Sequence, residues 1–118
     1  MYWVGRLPEH KLELSRTRRG DIYIRYLSKE ARLGDPRPDF LAVGTYEVKD
    51  AAKALRTLAK KQGGRIQSIK GADYLTSREN PRSVYMVPYG VDYQVEVFSP
   101  SPGAARVFVT AGKLKPAS

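Results

Sequence analysis

The strongest pattern in this chain is an alternation of apolar and polar residues near the carboxyl end. In residues 91–98, the apolar set and the polar set take turns: Val91, Tyr93, Val95 and Val97 against Asp92, Gln94 and Glu96. Successive side chains on a strand point to opposite sides, so a period of two predicts a strand with one buried face. Residues 84–87 predict a partner strand, and the Pro-Tyr-Gly sequence at 88–90 predicts the turn between them.

The same reasoning predicts strands elsewhere. KLELSRT at 11–17 and DIYIRYL at 21–27 alternate, and Gly20 and Asp21 suit a tight turn between them. RIQSIK and ADYLTSR, separated by Gly71, predict two more short strands. The apolar run at 40–43 predicts a central strand, in which Gly44 marks either a bulge or a close backbone approach.

One segment has helical spacing. Between residues 50 and 62, apolar residues recur every three or four positions, at Ala51, Ala54, Leu55 and Leu58. Asp50 is expected to cap the first free amides, and Gly63 or Gly64 to end the helix in the left-handed conformation. The main helix is therefore predicted at about 50–62.

Residues 102–112 leave two interpretations open. Ser101 as cap, Pro102 at the first helical position and Gly112 as stop favour a short helix. The alternative is an edge strand through 106–110, because β-branched residues dominate that stretch.

These elements predict an α+β fold in a single domain over residues 1–118. The sheet is expected to be twisted, mostly antiparallel and built of about six or seven short strands, with the main helix packed on one face and the short helix at the carboxyl end. A length of 118 residues, of which 42% are apolar, suits one core.

Catalytic, metal and cofactor chemistry has little basis in the composition. The chain has no cysteine and one histidine, His10, which lies between charged residues beside a proline. A general base needs an orienting partner and a nucleophile within reach, and zinc needs several His or Cys ligands. Asp35 and Asp39 flank a Pro-Arg-Pro loop and are interpreted as turn-forming acids. We therefore expect no catalytic residue, no metal and no cofactor.

The net charge of +9 is concentrated in residues 51–82, which carry eight Lys and Arg against two Asp and Glu. The predicted helix has an outer face of cations without an acid among them, whereas a helix that needs only solubility usually mixes signs. Three more arginines occupy the first predicted turn. The candidate contacts for an anionic partner are Lys53, Arg56, Lys60, Lys61, Arg16, Arg18 and Arg19. A solvated helix face is the alternative interpretation.

A second function class is nucleic-acid binding. Basic residues with nearby aromatic rings are typical of such proteins. The candidates are the basic helix face, the turn arginines Arg16, Arg18 and Arg19, and Lys70, Arg78 and Arg82, with Tyr74, Tyr85 and Tyr89 as stacking rings. Against this, no nucleic-acid motif is present, and most tyrosines alternate with β-branched residues on faces that favour burial. Tyr26 and Tyr93 are therefore predicted as core residues, and Tyr85 and Tyr89 are left undecided.

Four stretches, YWVGRLP, KLELSRTRRGDIYIRYL, GDPRPDFLAVGTY and SVYMVPYGVDYQVEVFSPSPGAARVFVTAGKLKP, together resemble a family of uncharacterised exported or lipid-anchored domains of high-GC Gram-positive bacteria. The resemblance implies an extracytoplasmic domain, in the cell envelope or secreted, whose signal peptide has been removed; a cytoplasmic location is the alternative. It assigns no activity. We expect a non-enzymatic module that binds a protein or an anionic envelope polymer, with nucleic-acid binding as the alternative. No segment approaches the ~18 apolar residues of a membrane span.

Overall fold

The alternating segments pair into one antiparallel sheet in the computed structural model, which describes residues 1–117. The strands in chain order are β1 (Tyr2–Trp3), β2 (His10–Arg16), β3 (Ile22–Ser28), β4 (Leu41–Glu47), β5 (Arg65–Ile69), β6 (Ala72–Thr76), β7 (Ser83–Pro88), β8 (Tyr93–Phe98) and β9 (Lys115–Pro116). Seven of them form the main sheet in the order β2-β3-β4-β8-β7-β6-β5, and β1 pairs with β9. Two helices, α1 (Ala51–Gln62) and α2 (Ala104–Thr110), complete an α+β fold. The predicted fold class is confirmed.

The two faces of the main sheet are covered by different elements. On one side, which we call the α1 face, Leu55 of α1 is fully buried against Leu75 and Val87 of β6 and β7. On the other, the α2 face, α2 and the β1–β9 pair cover a larger core that includes Val95 and Val97 of β8. Both valines are fully buried, as the alternation at 91–98 predicts.

The direction of the strands fixes what lies at each end of the sheet. The turns of the β2–β3, β5–β6 and β7–β8 hairpins lie at one end, which we call the hairpin end. Because β4 and β5 run in the same direction, α1 starts at the hairpin end and returns the chain to the opposite end, where β5 begins. The β6–β7 loop at residues 77–82 and the start of α2 follow strands that finish at that opposite end.

The predicted bounds of α1 are confirmed, but its predicted N-terminal cap is wrong. Asp50 has a left-handed backbone (φ 55°) and its side chain makes no capping hydrogen bond. Its amide donates instead to Asp92 Oδ1 at 3.3 Å, and Val48 donates to the Asp92 carbonyl at 3.0 Å, so the segment before α1 is held by the β7–β8 turn. Gly63 ends the helix in the left-handed conformation (φ 61°), as expected.

Residues 102–112 follow the helical alternative, although the helix starts later than predicted. The helix begins at Ala104, and Gly103 (φ 83°) takes the capping position expected for Ser101. Gly103 donates to the Pro81 carbonyl at 2.9 Å, and the Ser99 side chain accepts the Ser101 amide at 3.3 Å. Ser99 also donates to the Arg82 carbonyl at 2.8 Å, so residues 99–103 are tied to the β6–β7 loop at both ends and helical geometry starts only after them.

Gly44 in the central strand β4 permits a close approach, and the ladder has no bulge there. It lies in register between Tyr23 and Glu96, and a Cβ at this position would be 2.7 Å from the Tyr46 hydroxyl oxygen. The Tyr46 ring therefore lies over the glycine, where its hydroxyl donates to Glu96 Oε1 at 3.0 Å. The close neighbours are side chains, whereas a backbone approach was predicted.

Tyr26 and Tyr93 have the structural role predicted for them. Tyr26 is 1% exposed; its hydroxyl donates to the Gly5 carbonyl at 2.7 Å and accepts the Val4 amide at 3.0 Å. Tyr93 is half-buried, with its ring centroid 6.1 Å from that of Tyr2. Both rings join the core on the α2 face.

Candidate functional site

A cleft of about 500 Å³ opens at the end of the sheet where α1 finishes. Three segments form it: the connection from α1 to β5, the end of β6 with the loop that follows, and α2. The side chains and backbone around it are mostly polar, and they are Gln62, Gly63, Arg65, Thr76, Ser77, Arg78, Glu79 and Arg106.

Three arginines converge on this cleft from different elements. Arg65 is the first residue of β5, Arg78 lies in the β6–β7 loop and Arg106 is in α2. None has a carboxylate within 4.0 Å among residues 1–117. Glu79 is the one acidic residue in the lining, so the described wall of the cleft has an excess of positive charge. We call this space and its lining residues the three-arginine cleft.

Packing and hydrogen bonds hold the wall of the cleft in place. Ser77 is 8% exposed; its hydroxyl donates to the Gln62 carbonyl at 3.1 Å and accepts the Glu79 amide at 3.1 Å. Gly64 lies so close to β6 that a Cβ there would be 2.6 Å from Leu75 Cδ1 and 2.9 Å from the Thr76 carbonyl oxygen. The end of α1 and the end of β6 are therefore joined directly behind the arginines.

One polar atom in the wall lacks a partner. The Oε1 atom of Gln62 is buried and has no hydrogen-bond donor in the part of the chain that the structure describes. A buried acceptor without a donor is unfavourable, so a ligand hydroxyl or amide that reached Gln62 would satisfy it.

Two smaller hollows continue the cleft on the α2 side. One of about 170 Å³ lies between α2 and the outer strands, against Gln67, Ile69 and Tyr74. The other, of about 210 Å³, lies between the β6–β7 loop and Gly103. Thr76 and Arg106 border both, so the three spaces adjoin. A tyrosine phenol is protonated at neutral pH, and burial raises the pKa of Tyr74 further, so it can donate a hydrogen bond there.

This set of side chains suits oxyanions. A guanidinium group presents planar, permanently charged N–H donors that match phosphate and carboxylate oxygens in pairs. Three such groups around one concave space can contact a single anionic group from several directions. The cleft therefore has the chemistry of an anion-binding site.

The four cations predicted on the main helix lie on its outer side. Lys53, Arg56, Lys60 and Lys61 are exposed, opposite the buried residues Ala51, Leu55 and Ala59. A shallow depression of about 530 Å³ includes Lys53 and Lys61 but also Asp50, and it does not include Arg56 or Lys60. The four side chains therefore share no single concave space, and we call them the α1 basic face.

The predicted turn arginines do not join that surface. Arg16 ends β2, and Arg18 and Arg19 lie in the exposed β2–β3 turn. Helix α1 packs on β5, β6 and β7, so β4 and β8 separate it from this hairpin. The structure thus divides the seven candidate contacts into two groups on different parts of the sheet.

The residues proposed for nucleic-acid binding are also dispersed. Tyr74 pairs with Met86 on the α2 face, whereas Tyr85 is at the next position of β7 and contacts the core on the α1 face. Tyr89 is 57% exposed in the β7–β8 turn. Lys70 is at the hairpin end, while Arg78 and Arg82 are in the β6–β7 loop at the opposite end. The three rings form no common stacking surface.

The remaining polar candidates have local partners. His10 is exposed, and its Nδ1 lies 2.7 Å from the Pro8 carbonyl oxygen. The Arg37 guanidinium donates to both oxygens of Asp35, at 2.8 Å in its shortest contact, and holds the pKa of that carboxyl down at about 2. Residues 1–117 contain no group of three or more histidines and acids placed to hold a metal ion. Neither described helix has the length and apolar character needed to cross a membrane.

Sequence reasoning missed two of the three cleft arginines and assigned the third to another role. Arg65 and Arg106 were not singled out, and Arg78 was considered only for nucleic acid. A partial signal existed, because pairing RIQSIK with ADYLTSR around Gly71 places Arg65 opposite Thr76, two residues before Arg78. No pattern in the sequence places Arg106 beside them.

Comparison of the chain with protein-family models, with curated proteins and with solved structures gave no match. The resemblance to exported bacterial domains therefore stays a prediction.

Proposed function

We propose that this domain is a non-enzymatic binding module that holds an anionic group of its partner in the three-arginine cleft. The convergence of Arg65, Arg78 and Arg106 on one concave space supports the proposal most directly. Like charges brought together without acidic partners repel one another, and a bound anion removes that cost. The site would bind phosphate, sulfate or carboxylate groups.

The α1 basic face is the weaker candidate for the same role. Its four cations share no single concave space, and three of them are lysines, whose ammonium groups are strongly hydrated and flexible. Such charges attract a partner from a distance, but salt screens them at separations near 10 Å. In this proposal the helix contributes attraction and the cleft contributes affinity.

The partner is a protein or an anionic polymer of the cell envelope, and the module works outside the cytoplasm, as the resemblance implies. Nucleic acid is less suited to this surface, because Tyr74, Tyr85 and Tyr89 lie on different parts of the molecule and offer no shared platform for stacked bases.

Calorimetric titration with inorganic pyrophosphate at physiological ionic strength tests the proposal. Two variants of identical net charge are compared: Arg78→Gln/Arg106→Gln in the cleft and Lys53→Gln/Lys60→Gln on the α1 basic face. Charge-assisted hydrogen bonds each contribute about 1.5–3 kcal/mol, so the cleft variant, which lacks two arginines, should lose at least about a hundredfold in affinity. The helix variant should lose less than about threefold, because Lys53 and Lys60 lie outside the cleft and act on the ligand only through screened solvent.

Because the two variants have equal net charge, any difference in their affinity reflects specific binding in the cleft and not non-specific electrostatic attraction. Equal losses of pyrophosphate affinity in both variants would show that the binding is non-specific electrostatic attraction, and would overturn the proposal. So would an absence of pyrophosphate binding by the unaltered chain, since the cleft would then hold no anion.

A further inference from the structure

The three-arginine cleft lies at one end of a free sheet edge. Strand β5 is the last strand of the seven-stranded order and pairs only with β6. Arg65, its first residue, lines the cleft. From there the strand runs five residues toward the hairpin end, and four of the five side chains are exposed.

The turn after β5 shows which of its backbone groups are free. Lys70 (φ 43°) and Gly71 (φ 84°) both have positive φ, as a two-residue type I′ turn requires. Such a turn is closed by a hydrogen bond between its flanking residues, here Ile69 and Ala72. Hydrogen-bonded and non-hydrogen-bonded pairs alternate along an antiparallel ladder, so the N–H and C=O groups of Ile66 and Ser68 point away from β6.

The two edges of the sheet differ in how they are protected. Strand β2, at the far edge, carries Lys11, Glu13 and Arg16 among its seven residues. Strand β5 has the sequence RIQSI, with one charge at its first position and neither a proline nor a break in its register. Edge strands that must not pair with other chains usually carry charges, prolines or bulges. The β5 edge is thus open to an added strand.

We propose that an extended acidic segment of a partner protein adds to β5 as a further strand and places a carboxylate in the three-arginine cleft. This inference rests on the proposed function, because the same arginines hold the acidic group. An added strand would form main-chain hydrogen bonds with Ile66 and Ser68, and the chain that continues past Arg65 would cross the mouth of the cleft.

The surface beside β5 suits the side chains of such a segment. Arg65, Gln67 and Ile69 face the hollow of about 170 Å³ between the outer strands and α2. Ile69 is 37% exposed at the end of the strand far from the arginines. Alternate side chains of the added strand would contact this apolar position and the basic cleft, so a partner that combines β-branched and acidic residues is favoured.

A second copy of this chain is a poorer occupant of the edge. Pairing β5 with another β5 would bring together two chains that each carry a net charge of +9 and an arginine within the pairing strand. An acidic segment removes this repulsion. Charge complementarity therefore favours a different, acidic chain.

The experiment uses two labelled peptides of equal charge. One has glutamates in one half and valines in the other, so that side chains on one face can reach both Arg65 and Ile69. The other has the same sequence with alternate backbone amides methylated, so that one edge cannot donate hydrogen bonds. Fluorescence anisotropy measures binding to the unaltered chain, to Ser68→Pro and to Ser68→Ala. Proline at an outward-facing edge position is compatible with the fold, and Ser68→Ala controls for the hydroxyl that donates to Asp73 Oδ1 at 2.6 Å. Thermal unfolding checks that both variants fold.

We expect the unmethylated peptide to bind the unaltered chain and Ser68→Ala alike, and Ser68→Pro to lose about tenfold or more, because a donor is removed and the partner's carbonyl is left unpaired. The methylated peptide should bind weakly to all three. Inorganic pyrophosphate should bind all three equally.

The contrary results distinguish failure of strand addition from failure of the anion site. Equal peptide binding by Ser68→Pro and Ser68→Ala, with pyrophosphate still bound, would overturn strand addition and keep the anion site. Loss of pyrophosphate binding from the unaltered chain would overturn both. Tighter binding of long-chain polyphosphate than of the peptide, unaffected by Ser68→Pro, would assign the site to a polymer. A dimer in sedimentation that Ser68→Pro dissociates would assign the edge to a second copy.

Discussion

The α1 basic face and the three-arginine cleft have similar charge but are built in different ways. The first is formed by one continuous segment, in which helical spacing places Lys53, Arg56, Lys60 and Lys61 on the side opposite a buried stripe. The second combines residues 65, 78 and 106 from a strand, a loop and a helix. The α1 basic face therefore depends only on α1. The three-arginine cleft forms only when β5, the β6–β7 loop and α2 are packed together.

This difference decides what each surface can do. Side chains that are spread over the outer side of one helix and share no single concave space cannot surround a ligand together, so each contributes little binding energy. Side chains that converge from separate elements can contact one group together. Basic residues that tertiary packing brings together from separate elements are thus a better candidate binding site than basic residues that share one side of a helix.

The largest expected effect comes from a change that disturbs the packing behind the cleft. In Gly64→Ala the new methyl group would meet Leu75 and the Thr76 carbonyl at under 3.0 Å. Overpacking of this kind costs about 1–3 kcal/mol, and the shift it forces moves the end of α1 away from β6. We expect lower stability in urea unfolding and weaker pyrophosphate binding in calorimetry.

Gly63→Ala is the matched control for Gly64→Ala. A Cβ at Gly63 meets nothing within 4 Å, so the cost is limited to the left-handed backbone (φ 61°), about 1 kcal/mol. Pyrophosphate affinity should be retained. If Gly63→Ala weakened binding as much as Gly64→Ala, the cleft would depend on the helix end in general and not on its contact with β6.

The sequence predicted the parts of the molecule that local patterns determine. Helical spacing placed α1 correctly, and alternation placed the β2–β3 and β7–β8 hairpins, because side-chain burial in these elements repeats with the backbone period. The cap at Asp50 was wrong because a long-range bond to Asp92 sets the backbone there. Local residue preferences describe a helix end only when no distant segment holds it.

The candidate site was predictable only in part, for a related reason. The cations of the α1 basic face lie within nine residues of one another, so helical geometry alone groups them. Arg106 is 28 positions from Arg78 and joins it only because α2 packs against β7 and the β6–β7 loop. Such a group depends on the order of strands and the placement of helices, which no single segment encodes.

The negative charge of Glu79 should weaken anion binding in the three-arginine cleft. Glu79 is the one acidic residue in the cleft lining, so Glu79→Gln should strengthen pyrophosphate binding. Unit charges several Å apart in partly screened surroundings interact by about 1 kcal/mol, which corresponds to about a three- to fivefold gain. Calorimetry measures it. Glu30→Gln, at an exposed acid on a different loop, changes the net charge equally and should leave the affinity nearly unchanged.

A gain of equal size in Glu30→Gln would indicate that net charge, and not the local composition of the cleft, controls affinity. The distinction between the two basic surfaces would then lose its basis.

The smallest effect concerns the α1 basic face. Arg56 is four positions before Lys60 and three after Lys53, so Arg56→Glu replaces repulsion on the helix surface by attraction. Pairs of this type contribute about 0.2–0.5 kcal/mol, and we expect the free energy of unfolding to rise by about 0.5 kcal/mol, with Arg56→Gln giving about half as much. Pyrophosphate affinity should fall less than about threefold, because the residue lies outside the cleft. A large loss of affinity in Arg56→Glu would place the binding surface on the helix.

The central claim, that the cleft and not the helix holds the anion, is tested most directly by nuclear magnetic resonance. Amide and arginine side-chain resonances are recorded in ¹⁵N-labelled protein as inorganic pyrophosphate is added at physiological salt. We expect the largest shifts at Gly63, Ser77, Arg78, Glu79 and Arg106, with small changes from Lys53 to Lys61. Shifts that are largest along α1 and absent from the β6–β7 loop would contradict the account.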